Sequence, residues 1–410
     1  MPGYAARYKY MTESTEIREA TLAEIALVFL KLGTIAFGGP PAHLAMMEEE
    51  FVRRRRWITE ADFLDRLATA NLIPGPNSTE VAIFVGHLKR GWRGLLVAGC
   101  CFIIPAASIV LAIAWAYVRF GSLPQVEGIL AAIKPAVVAI VIQALLKLGR
   151  TGVKTIPLAL IALFAASLSL MRMGPVLVLV VAGFASASIW AAKTRRGRAR
   201  GLGTGIGIPP AMAGLHKSFG ITKASSALTA VAVAALAFPV SLTRLFLSFL
   251  KIGAVMFGSG YVLLAFLQTE FVEHLHWLTE KQLLDSVAVG QFTPGPLSAT
   301  ATFIGYIVAG WKGAVVATVG IFLPGFVLVA LSGPLLPRLR RSAVLAATLD
   351  GVVAGSLALM AVVAWQLGQA SIVDWKTALI FGVSLVALLR FRVNSAWLIA
   401  AAAVVGWGMR

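Results

Sequence analysis

The sequence predicts an all-α integral membrane protein made of two homologous repeats of inverted topology, each with about five crossings plus a re-entrant segment. Three observations predict it. The 410 residues are 59% hydrophobic and 13% charged, with a mean hydropathy of +0.85, well outside the range of soluble domains. Apolar stretches of helix-spanning size recur along the chain, at 94–118, 128–148, 173–192, 313–336 and 345–367. The chain also matches itself: FLKLGTIAFGG at 29–39 aligns with FLKIGAVMFGS at 249–259, a shift of 220.

The same shift pairs Glu50 with Glu270, Trp57 with Trp277, Thr59 with Thr279 and Asp65 with Asp285. It pairs Pro74-Gly75-Pro76 with Pro294-Gly295-Pro296, and after one deletion Gly91-Trp92 with Gly310-Trp311. The expected organisation is a tail at 1–21, a first repeat at 22–192, a basic, Gly-rich linker with a short apolar segment at 193–240, and a second repeat at 241–410.

In chain order, the tail mixes Lys9 and Arg18 with Glu13, Glu16 and Glu19 and lacks the apolar core of a cleaved signal. Each repeat opens on a broken helix, 22–47 and 241–268, followed by an amphipathic stretch. Next come short segments, 76–88 and 296–309, below the roughly 20 residues that span a bilayer and therefore read as re-entrant. Four further apolar helices complete each repeat. The linker reads as a flexible connector, and 225–238 is apolar but too short to cross.

Five crossings are an odd count, which inverts the second copy. Loop charges agree. Region 48–93 carries Arg53, Arg54, Arg55, Arg56, Arg66, Lys89, Arg90 and Arg93, whereas 269–312 carries only Lys281 and Lys312. The next loop reverses the bias, with Arg119 against Arg338, Arg340 and Arg341. The net charge of +18 thus belongs to the positive-inside pattern rather than to nucleic-acid binding. Cys100 and Cys101, adjacent in an apolar run, read as small buried packing residues, and Trp57 and Trp277 as interfacial anchors.

A Pro-Gly-Pro in a membrane ends one helix and starts another, because proline lacks an N–H and fixes φ near the helical value. The new start exposes unpaired amides, and in hydrocarbon an anion suits them; the alternative is a structural kink. The first helix is broken too, at Gly38-Gly39-Pro40-Pro41 and at Gly258-Ser259-Gly260. Seven residues before each break stands a lysine, Lys31 and Lys251, placed by helical rise about 13 Å into the bilayer for Lys31. Such a charge requires a reason: an anion, or snorkelling, or a paired carboxylate. Two helix starts of about half a charge each plus one lysine supply about two positive charges, the balance of a divalent oxyanion.

Ser78 and Ser298 follow the two triplets and join the candidate substrate contacts. Glu80 has no acidic counterpart in the second copy and is a coupling candidate or a helix-dipole complement. Lys134 and Asp350, at equivalent positions, are a candidate structural pair across the halves. His43 lines the site or packs as a neutral ring, and Arg53 to Arg56 fix topology.

FGGPPAH, EEEFV, RRWI and IPGPNSTEVAIFVGHLKRGWRG, with FGSGYVLLAFLQTEFV and FTPGPLSATATFIGYIVAGWKG in the second copy, resemble the chromate ion transporter family in its long two-domain form. The resemblance implies an inner-membrane, multi-pass protein that exports chromate by secondary transport and confers chromate resistance. It implies functional roles for Gly38, Gly39, Pro40, His43, Pro74, Gly75, Pro76 and Asn77, and for Phe257, Gly258, Gly260, Pro294, Gly295 and Pro296. The second copy departs from the first at Ser259 and Tyr261, where a proline is lost. Expected partners are chromate or sulfate as substrate, the lipid bilayer and a second copy in a homodimer; no nucleic acid, metal or cofactor is expected. An intramembrane enzyme is the reading of another class, and HExxH, GxSxG and P-loop spacings are absent.

Overall fold

The computed structural model of the chain describes residues 18–37, 39–121, 123–201, 240–257, 260–340, 342–391 and 393–408. The expectations for 225–238, and for Gly38, Gly258 and Ser259, lie outside the described residues. Fourteen α-helices and no strand occur among the described residues.

The first repeat comprises α1 (Leu22–Ile35), α2 (Gly39–Glu48), a π turn (Glu49–Arg54), α3 (Glu60–Ala70), α4 (Asn77–Phe120), α5 (Pro124–Gly152), α6 (Ile156–Leu170) and α7 (Pro175–Gly201). The second follows the same order: α8 (Leu242–Val255), a 3-10 turn (Gly260–Val262) with α9 (Leu263–Leu267), a π turn (Gln268–His274), α10 (Glu280–Phe292), a 3-10 turn (Leu297–Ala299), α11 (Thr300–Arg340), α12 (Ala343–Ser371), α13 (Trp375–Arg390) and α14 (Ser395–Gly408). Five helices among the described residues are long and apolar enough to cross a membrane, namely α4, α5, α7, α11 and α12, and the chain is a multi-pass membrane protein.

Local chemistry sets these ends. Thr21 caps α1 in a box with Glu24, each side chain bonding the other's amide at 3.2 and 2.9 Å. Thr59 and its equivalent Thr279 cap α3 and α10 through the amides of Asp62 and Gln282. The basic run after Lys193, expected in a flexible linker, continues α7 as helix through Gly201.

α4 and α11 each fold back on themselves. Backbone angles leave the helical range at Arg90 (φ −141°) and Gly91 (φ 54°), and likewise at Ala309 (φ −145°) and Gly310 (φ 63°). Arms 77–89 and 92–120 then lie antiparallel, so close that a Cβ on Gly86 would stand 2.3 Å from the Gly94 carbonyl oxygen. Gly305 meets Gly313 at the same 2.3 Å, and the Thr302 and Thr318 hydroxyls bond across the second hairpin at 2.7 Å. Glycine is required twice over: φ is left-handed at the tips, and the arms touch through backbone.

The repeats interleave. The long arms of α4 and α11 pack on each other, while α1 lies on α4 and α8 on α11. Helix α5 packs against α13 and α14, and α12 against α6 and α7, so each repeat's middle helix finds its neighbours in the other repeat.

Two sequence expectations are corrected. Trp57 is 1% exposed, stacked on Phe51 at 5.7 Å under the Arg55 guanidinium, and is a core residue rather than an interfacial anchor. Cys100 is exposed on α4 and Cys101 half-buried; both are free, and neither is the buried packing residue expected.

Candidate functional site

The four chain breaks are joined pairwise across the repeats. The Gly75 amide donates to the Met256 carbonyl at 2.7 Å, and the Gly295 amide donates to the Ala36 carbonyl at 2.9 Å. Shifted by 220, Ala36 is Met256 and Gly75 is Gly295, so these are one bond made twice. Each Pro-Gly-Pro loop is therefore tied to the point where the first helix of the other repeat ends. Ala36 and Met256 are the C-caps of α1 and α8, whose last carbonyls lack helical partners.

The glycines are needed where they stand. Gly75 has φ 141° and Gly295 φ 88°; a Cβ on Gly295 would lie 2.6 Å from the Ala106 Cβ of α4. Pro76 and Pro296 precede the new helix starts, and the Thr79 and Ala299 amides bond the carbonyls of Pro76 and Pro296 at 2.8 and 2.9 Å. The amides of Asn77 and Ser78, and of Leu297 and Ser298, are then left as first-turn donors.

At the first helix start the surroundings are polar. His43 on α2 is buried; its Nε2 lies 3.0 Å from the Ala36 carbonyl and its Nδ1 3.4 Å from the Ser78 hydroxyl. A carbonyl only accepts, so Nε2 carries the proton and Nδ1 accepts from Ser78. The Thr79 hydroxyl is buried with no hydrogen-bond partner among the described residues, and the Asn77 side chain donates to Asn71. Glu80 is 0% exposed, and neither of its oxygens has a hydrogen-bond partner among the described residues. Its carboxylate folds back over the loop: a Cβ on Gly75 would stand 1.9 Å from Oε1. Gly39, at φ 76°, begins α2, and Pro40 lies in its first turn.

The second start is apolar by contrast. Leu263 and Leu297 stand where the first copy has His43 and Asn77, and with Gly260 and Thr300 they line a cavity of only about 10 Å³, no roomier than a single water needs. The Ser298 hydroxyl is buried, with no hydrogen-bond partner among the described residues. Besides the departures at Ser259 and Tyr261, the halves differ by His43 against Leu263 and by Glu80 against Ala299 and Thr300.

Lys31 and Lys251 are both paired with glutamates of the π turns. The buried face of α1 is Ile25, Val28, Phe29, Leu32 and Gly33, and helical spacing turns residue 31 to the opposite face. The Lys31 ammonium pairs with Glu50 of the π turn at 3.6 Å, and Lys251 pairs with Glu270 in the same way. Glu50 also holds Arg54 at 3.5 Å and Arg55 at 2.9 Å, and Glu270 takes the Ser248 hydroxyl at 3.0 Å besides Lys251. Of the alternatives that the sequence leaves for these lysines, the structure shows the paired carboxylate. That both lysines recur 19 residues before a glutamate was the available signal.

Lys134 does pair across the repeats, but with Asp285 at 3.2 Å and not with Asp350, which is exposed on α12. Asp285 is fully buried and accepts from the Tyr117 hydroxyl at 2.9 Å. Sequence reasoning missed this cluster, since α10 meets α4 and α5 only in three dimensions.

Interleaved helical repeats, paired discontinuous helices and donor-rich starts buried in the protein define a multi-pass membrane transporter architecture. A family model for the chromate transporter matches residues 23–187 and again 243–407. The chain belongs to the chromate transporter family. It is 33% identical over 389 residues to a chromate transport protein of Cupriavidus metallidurans, covering 94% of this chain and 92% of that one. It is 30% identical over 387 residues to a chromate transport protein of Pseudomonas aeruginosa, covering 92% and 90%. An uncharacterized transporter of Methanocaldococcus jannaschii is 30% identical over 378 residues, 89% of each chain. No solved structure matches the chain.

Proposed function

We propose that the chain is a secondary transporter of the cytoplasmic membrane that exports chromate by alternating access and so confers chromate resistance. The carrying observation is the pair of crossed hydrogen bonds, Gly75 to Met256 and Gly295 to Ala36, which hold both helix restarts against the breaks of the opposite repeat. A seat built on this frame moves when one repeat rocks against the other, as alternating access requires.

The dianion is held at the first start by the Asn77 and Ser78 amides, with the Ser78 and Thr79 hydroxyls and the His43 ring around it; the second start adds dipole and the Ser298 hydroxyl. With both lysines neutralised by glutamates, the two starts supply about one positive charge in total. Chromate is thus bound by hydrogen bonds and oriented amides rather than by a free cation. Such donors read charge and tetrahedral shape but not the central atom, so sulfate is the competing substrate.

Inverted repeats are part of this reading. Lys281 at the start of α10 pairs with Glu127 at the start of α5 at 3.2 Å, and Tyr117 near the end of α4 meets Asp285. The entrance of the second repeat thus lies beside the far end of the first repeat's hairpin arm. At the other end, Arg18, Lys89 and Arg90 gather: Lys89 and Arg90 donate to the carbonyls of Arg18 and Ala20 at 3.1 and 2.6 Å, making a basic face suited to the cytoplasmic side.

Chromate uptake into inside-out vesicles tests the function. Saturable uptake that sulfate inhibits and that falls when a gradient is collapsed is expected. Absence of uptake, or flux that never saturates, rejects the carrier.

A further inference from the structure

We propose that Glu80 is a tethered carboxylate that lies against the anion seat of the empty protein, so that oxyanion binding requires uptake of one proton by this side chain. The inference rests on the transport reading above.

A buried carboxylate normally has partners. Glu80 has none among the described residues, yet its side chain is closed to solvent and folds back onto the loop that begins its own helix. A Cβ at 75 would overlap Oε1 where it lies, so Gly75 gives the carboxylate its place against the loop. The partial positive charge of a helix start favours an anion there, and Glu80 places a carboxylate beside that start without bonding its amides. A dianion arriving at the Asn77 and Ser78 amides would face a like charge at close range in a low dielectric. Proton transfer to Glu80 removes the repulsion: Glu80 carboxylate, one proton and one oxyanion become Glu80 carboxylic acid with the oxyanion seated beside it.

The groups around Glu80 leave the proton no better home. From α11 it meets Gly325, 3.9 Å from a Cβ built there, with apolar Phe326 and Val329 in the same core. From α2 comes His43, engaged with Ala36 and Ser78. Further along its own helix, His87 lies near the hairpin tip with its ring against Trp92. The lysines of α1 and α8 are held by Glu50 and Glu270. The second start has Ala299 and Thr300 in this place, and Thr300 donates to the Leu297 carbonyl at 2.8 Å, so the device exists once per chain.

The test uses the purified full-length chain in lipid nanodiscs. Chromate is added in weak buffer with a pH indicator, and the proton balance per bound chromate is compared between wild type and Glu80→Gln; chromate's own titration is common to both and cancels. Wild type is expected to take up about one proton more, and its affinity relative to Glu80→Gln to rise about tenfold per unit fall in pH while Glu80 is ionised. Glu80→Asp, which keeps a titratable carboxyl, is expected to restore the uptake. Chromate binding with equal proton balance in wild type and Glu80→Gln overturns the role of Glu80 and leaves the transport reading intact. Failure of both proteins to bind chromate removes the transport reading and the coupling together.

Discussion

Lys134 and Asp285 belong to different repeats and meet as an ion pair of 3.2 Å whose carboxylate is shut off from solvent. Tyr117 completes the pair with a hydrogen bond of 2.9 Å. Removing one partner strands a charge inside the protein. Lys134→Met and Asp285→Leu are each expected to destabilise the fold by about 3–5 kcal/mol, and the double substitution to recover most of the loss. Thermal unfolding of the four proteins in one detergent checks this; additive losses in the double variant would show that the pair is not coupled.

The two lysines of the opening helices differ in what they leave behind. Lys31→Ala leaves Glu50 held by the cations Arg54 and Arg55, whereas Lys251→Ala leaves Glu270 on the neutral Ser248 hydroxyl. The second substitution is therefore expected to lower stability by about 1–3 kcal/mol more than the first, with a matching loss of folded protein. Monodisperse yield after detergent extraction reads this difference.

The crossed hydrogen bonds predict that alanine at either loop glycine damages transport. At Gly295 the new Cβ would lie 2.6 Å from Ala106 with φ at 88°, a strain of about 1–3 kcal/mol. At Gly75 it would displace the Glu80 carboxylate. Chromate uptake in inside-out vesicles is expected to fall at least tenfold for both, while Gly149→Ala, in open space, transports normally.

Orientation is checked by single cysteines at Arg54 and His274, both exposed, in a background where Cys100 and Cys101 are alanine. A membrane-impermeant thiol reagent added to right-side-out vesicles is expected to label one and not the other. Equal labelling makes the repeats parallel.

Much of the frame was legible in the sequence because its signals are local. Pro-Gly-Pro ends a helix wherever it occurs, and the shift of 220 carries through π turns and caps and, after one deletion, through the hairpins. The charged side chains were legible only in part. Depth placed Lys31 inside the bilayer, but its direction depends on which stripe of α1 is buried, and Glu50 reaches it only because the chain widens into a π turn at Glu49–Arg54. Lys134 was read against its repeat equivalent, Asp350, yet its partner comes from α10, which no spacing along the chain connects to α5. The backbone bonds that join the breaks use carbonyls of Ala36 and Met256, residues whose side chains carry no chemistry to notice.

The interleaving of α5 with α13 and α14 has a consequence for synthesis. Some 220 residues separate the end of α5 from the start of α13, and at ordinary translation rates their delivery takes on the order of tens of seconds. Throughout that interval the nascent first half sits in the bilayer with one flank of its middle helix covered by lipid alone, and it becomes complete only when the last helices of the polypeptide arrive.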